Sequence, residues 1–82
     1  GALFLSAGGY HHHLGTNPWA AGADPAREDE ARLLDWALVL PDAASREAAV
    51  RSLHGAGFET AADGGDVLAR DPWGTAVRLQ AR

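Results

Sequence analysis

Apolar and polar positions along the chain divide it into a long unit and a short one. The stretch Leu33-Leu34-Asp35-Trp36-Ala37-Leu38-Val39-Leu40 is apolar on both alternating faces apart from Asp35. Such a pattern predicts a strand in the middle of a sheet, covered on both sides. Pro41 and Asp42 end it and start a helix, with Asp42 as N-cap and Ala43, Ala44, Ala48 and Ala49 as strong helix formers. Ala49, Val50 and Leu53 form a narrow apolar stripe, whereas Arg46, Glu47 and Arg51 are expected in water, with Glu47 and Arg51 paired at i,i+4. Gly55 and Gly57 are expected to close the helix, and His54 in its last turn complements the helix dipole when charged. A lone helix of about 12 residues is marginal in water, so this one is expected to lie on the sheet.

Beyond the helix the alternation shortens. Phe58 to Ala61 predicts a strand, Ala62 to Asp66 a hairpin connection, Val67 to Arg70 a strand, and Asp71-Pro72-Trp73-Gly74 a tight turn. Thr75 to Gln80 is the last strand, with Val77 and Leu79 on one face and Ala76, Arg78 and Gln80 on the other. From Leu33 onward the order is therefore strand, helix, strand, strand, strand.

Before this unit, Ala2 to Ala7 is a short apolar strand whose abrupt start gives the chain the look of a piece cut from something longer. Gly8-Gly9 is a turn or bulge, after which Tyr10 to Thr16 can resume extended structure. A period of two then puts His11 and His13 on one face, as a metal would use them, and Tyr10 with His12 on the other. The same three imidazoles also suit a half-buried strand, where they satisfy one another, backbone carbonyls or water. Thr16-Asn17-Pro18-Trp19 is a turn signal. Ala20 to Ala31 is expected to be a solvated, mobile loop with a solubilising acidic run, Glu28-Asp29-Glu30. Trp19, at the loop's root, is expected as a hydrophobic anchor or part of a pocket rim. The division is thus residues 1–19, a strand or hairpin; 20–32, an acidic loop; and 33–82, the folded unit.

With 82 residues the chain is one domain at most, and that size buries only roughly 60–65% of its unfolded surface. A net charge of −4, with all seven cations arginine and scattered from Arg27 to Arg82, argues against nucleic acid as a partner. No apolar run suits a membrane span, and the expected location is the cytoplasm. Without cysteine, any metal must be held by imidazole and carboxylate, which suit iron, manganese, nickel or zinc.

The strand-helix-strand-strand-strand order, with Asp-Pro-x-Gly between the last two strands, resembles the βαβββ module of the vicinal oxygen chelate superfamily of glyoxalases, extradiol dioxygenases and bleomycin resistance proteins. Ala2-Leu3-Phe4-Leu5-Ser6-Ala7-Gly8-Gly9-Tyr10-His11-His12-His13-Leu14-Gly15-Thr16-Asn17-Pro18-Trp19 is similar to a run in the C-terminal half of catechol-2,3-dioxygenase-like proteins, and Leu38-Val39-Leu40-Pro41-Asp42 fits the first strand of that half's closing module. The resemblance implies an α+β fold: one βαβββ module of a half-open barrel with one helix on the sheet, preceded by an extra strand or hairpin. It also implies a partner wall, from a second copy or from upstream modules of a parent chain, and a small aromatic or other small-molecule ligand. The implied cofactor is a divalent metal, Fe(II) in a dioxygenase, held on the first and fourth strands. Those positions fall here at or beside Asp35, followed by Trp36, and at Arg78. Asp35 is an oxygen donor, but a guanidinium cannot ligate a cation. Arg78 either faces an anionic substrate or pairs with an Asp or Glu. His11 and His13 are the candidate metal ligands, and Tyr10, His12, Trp36 and Arg78 the candidate pocket residues. This chain is expected to be the C-terminal portion of such an enzyme, inactive alone; the rival reading is a non-catalytic binding or dimerisation module of the bleomycin-resistance type.

Overall fold

The computed structural model describes residues 1–82. One helix lies on a four-stranded sheet, and a two-stranded hairpin precedes them without joining that sheet. The hairpin consists of β1 (Leu3–Leu5) and β2 (Leu14–Thr16), antiparallel. Phe4 lies opposite Gly15, and its ring crosses the partner strand so closely that a Cβ on Gly15 would meet it at 3.1 Å. The larger unit consists of β3 (Asp35–Leu40), α1 (Ala43–Gly55), β4 (Thr60–Asp63), β5 (Asp66–Arg70) and β6 (Ala76–Ala81). Its strand order is β3-β6-β5-β4, with β3 parallel to β6 and the other pairs antiparallel. The sheet is open and does not close into a barrel.

The helix is fixed at both ends by its own sequence. Asp42 has an extended backbone, and its Oδ1 accepts the Ser45 amide at 2.7 Å. At the other end Phe58 N–H donates to Leu53 O at 2.9 Å and Gly57 N–H to His54 O at 3.0 Å, with Gly57 at φ 89°. Those two bonds and the left-handed residue make a Schellman cap, which places Phe58 against the Leu53 side of the helix. Gly55, expected to share the stop, is instead the last helical residue. His54 Nε2 lies 2.9 Å from Thr60 Oγ1 and so ties the helix to β4. Arg46, expected in water, is half-buried and donates to Gly65 O at 2.6 Å across the turn between β4 and β5. That turn is Gly64-Gly65, with φ of 57° and 95°; positive φ at both central residues is what a two-residue hairpin with right-handed strand twist requires. The expected Glu47–Arg51 pair does not form among the ion pairs.

The strand from Leu33 to Leu40 departs most from its expectation. It is an edge strand, and the place in the middle of the sheet belongs to β6 and β5. Leu33 and Leu34 precede the strand and are each 62% exposed, although their carbonyls accept from Thr75 Oγ1 and Ala76 N. Only Ala69, Ala76 and Leu79 are buried, all of them on β5 and β6. Trp36, Leu38, Val39 and Phe58 remain exposed around them. The accessible surface is 6350 Å² for 8.6 kDa; a compact monomer of that mass exposes only about 4,700 Å². The radius of gyration is likewise 14.2 Å, against about 12 Å for a compact chain of this length. The chain's own packing therefore covers the apolar residues of β3 only in part. Trp19, expected as an anchor, stands 80% exposed.

The N-cap carries a pH signature. The Ser45 backbone amide, and secondarily its hydroxyl, hold the Asp42 carboxyl below the ordinary value of 3.8. Acidification then protonates the unfolded chain first, so this contribution is complete above pH 3.8 and disappears as pH falls through the lower folded value. Circular dichroism at 222 nm during acid titration is expected to show that loss in the wild type. Asp42→Asn, which caps without a charge, is expected to lack it, and Asp42→Ala to raise the unfolding constant about fivefold at neutral pH.

Candidate functional site: the open sheet face and the histidine turn

Register sorts the strand residues into two faces. Trp36, Leu38, Val77, Leu79, Val67 and Ala69 share the side that carries the helix; Asp35, Ala37, Arg78, Gln80, Leu68 and Ala61 share the open side. Thus Asp35 and Arg78, the two positions singled out by the resemblance, do lie on one face of neighbouring strands. Trp36 lies on the opposite face from them. There it lines a shallow cleft of about 210 Å³ with Leu53, Phe58, Ala69 and Val77, bordered by Arg70, Asp71 and Thr75.

Arg78 is not free on the open face. Its guanidinium donates to Asp63 Oδ2 at 2.8 Å and lies 3.5 Å from Asp66 Oδ2, which also accepts from Gln80 Nε2 at 3.2 Å. The hydrogen bond that Arg78 donates to Asp63, with the fields of Asp63 and Asp35, raises the Arg78 pKa further. Of the two readings of Arg78, pairing with aspartate is the one realised. Asp63 and Asp66 were missed from sequence, yet a signal existed. Residues flanking a two-residue hairpin turn face each other, and Asp66 shares the side of Leu68, the partner of Arg78.

The histidines do not alternate along a strand, because the connection between β1 and β2 runs on through His13. Tyr10, expected on the side away from His11 and His13, touches both: its ring centroid is 5.0 Å from His11 and 4.8 Å from His13. His11 and His12 meet through their Nδ1 atoms with rings at 89°, and His12 lies edge-on to Phe4 at 4.3 Å. The backbone amide of Ala7 donates to His13 Nδ1 at 3.2 Å. An amide can only donate, so neutral His13 keeps its proton on Nε2, and its one lone pair, on Nδ1, is taken up by that amide. No three His, Asp or Glu side chains come together here to hold a metal ion. The residues present therefore do not compose a metal centre by themselves, in the turn or on the open face.

Over 72 residues, 87% of this chain, the sequence is 36% identical to the catechol-2,3-dioxygenase of Bacillus subtilis (strain 168). That likeness supports a family-level relationship to the extradiol dioxygenase-like, vicinal oxygen chelate proteins. The chain spans 25% of the length of that relative. No family model matches the chain, and no solved structure matches it. The helix-backed open sheet is the α+β module which the relationship implies. No helix is long and apolar enough to cross a membrane.

The Ala7–His13 bond predicts a local effect. His13→Ala is expected to speed hydrogen exchange at the Ala7 amide by about tenfold, with amides of β5 and β6 unchanged. Exchange measured by NMR reads this directly; equal rates in both proteins would show that the turn is held by other means.

Proposed function

We propose that the chain is the C-terminal portion of a metal-dependent vicinal oxygen chelate enzyme, most like an extradiol dioxygenase that opens catechol rings, with a glyoxalase-type reaction as the nearest relative in chemistry. The 36% identity with a catechol-2,3-dioxygenase carries this reading. The open face and exposed β3 edge agree with it, since a module of this kind needs a further wall, from upstream modules of a parent chain or from a second copy.

Fe(II) is the proposed cofactor, and it would supply a single centre at which a catecholate and dioxygen are held together. Its ligands are proposed to lie chiefly outside these residues. His11 is the better of the two candidate ligands in this chain, because its Nε2 is available when its Nδ1 carries the proton shared with His12. His13 would first have to give up the Ala7 amide. Tyr10 and His12, stacked around them, are proposed to face a small aromatic substrate. Trp36 lies on the helix side and Arg78 is paired, so neither is given a substrate role here. A cytoplasmic location belongs to the same proposal.

Oxygen uptake with catechol, measured by electrode on the full-length protein after anaerobic loading with Fe(II), tests the proposal. Uptake with formation of a coloured ring-opened product is expected, reduced at least tenfold in His11→Ala; residues 1–82 alone are expected to be inactive. Full-length protein that binds catechols without consuming oxygen would instead support a binding module.

A further inference from the structure

The open face of the sheet carries charge that the proposed function leaves unused. Arg78 sits on the central strand β6, Asp66 at the start of β5, Asp63 at the end of β4 and Asp35 at the start of β3. One guanidinium is thus bonded to carboxylates of β4 and β5, while Asp35 on β3 adds only its field. The Arg78 side chain is only 26% exposed and Asp66 only 28%, although Asp63 is 53% exposed. Bonds in such a half-covered place are less screened than those of a surface pair such as Arg27 with Asp29.

We infer that Arg78 is a built-in cation that takes over the neutralising and cross-linking role of a metal on this face, and that the face is thereby closed to divalent ions. A metal would need several converging oxygen or nitrogen lone pairs, and no three such side chains converge here, while one oxygen each of Asp63 and Asp66 is already bonded. Asp63 Oδ2 accepts from Arg78, while Asp66 Oδ2 is shared by Arg78 and Gln80. An incoming divalent ion would have to break those bonds and then sit beside a guanidinium of like charge, which stays protonated at any working pH. The planar fork also does what a point charge does less well, reaching β4 and β5 at once from β6. Only the comparison with a metal rests on the proposed family role; the cross-strand cation stands on the ion pairs alone.

Two measurements on the chain in its native assembly decide the matter. First, Mn²⁺ is titrated and the free ion read by electron paramagnetic resonance. Wild type and Asp35→Asn/Asp63→Asn/Asp66→Asn are expected to bind equal amounts, since the aspartates are not ligands. Greater uptake by the wild type, lost in the triple variant, would overturn the inference whether or not the full-length protein cleaves catechols. Second, urea unfolding compares Arg78→Met with Arg78→Lys. The methionine variant keeps the aliphatic stem, and its unfolding constant is expected to rise roughly fivefold. Lysine is expected to recover part of that loss, and in the Asp63→Asn/Asp66→Asn background the change Arg78→Met is expected to cost much less. Equal stability of wild type and Arg78→Met, or an undiminished cost in that background, would also overturn it. Should the methionine variant not fold, the Mn²⁺ arm decides alone.

Discussion

Enclosure of strand β6 is the constraint on which the rest of the structure depends. It is hydrogen-bonded on both sides, to β3 and β5, and it carries two of the three buried residues, Ala76 and Leu79. The hydrophobic contribution of burying two alanines and one leucine is small, since only the leucine supplies about 2 kcal/mol. Half-buried Leu40, Val50, Leu53, Val67, Leu68 and Val77 add to it, and features that do not need a deep interior reinforce it: the two capped ends of α1, the Gly64-Gly65 turn tied to Arg46, and the Arg78 pairs across β4 and β5. These are polar, and they survive at the surface. The apolar positions of β3 gain little from the chain's own packing.

Such a division explains where the sequence was a good guide. The N-cap at Asp42, the Gly57 stop and the paired glycines of the hairpin are decisions made by a few adjacent residues, and each folds much as its local chemistry requires. The order of strands and helix after Leu33 followed from them. Strand β3 was read differently because an apolar pattern on both faces says that cover is needed without saying what supplies it. The sequence of β3 fits a central strand; the topology makes it an edge. Its apolar residues stay exposed because the helix covers them only in part.

The candidate site divides along the same line. Pairing of Arg78 depends on residues 12 and 15 positions away that only the antiparallel register brings together, so one-dimensional spacing left its partner open. The histidine run failed as an alternating strand for a local reason: the turn opened by Gly8-Gly9 extends to His13 and is held there by the Ala7 amide. Only contact among the imidazoles was legible; Tyr10, expected on the other side from His11 and His13, packs on both, as aromatic rings crowded into a turn do. A family-level likeness covering a quarter of its relative agrees with a module that supplies part of a wall.

The central claim is that the apolar surface left open by this chain is covered by more protein. Sedimentation equilibrium of the 82-residue chain, with thermal unfolding followed over a hundredfold range of concentration, tests it most directly. Self-association above 8.6 kDa is predicted, with a Tm that rises as concentration rises. A monomer at every concentration, unfolding cooperatively at one fixed Tm, would contradict the account.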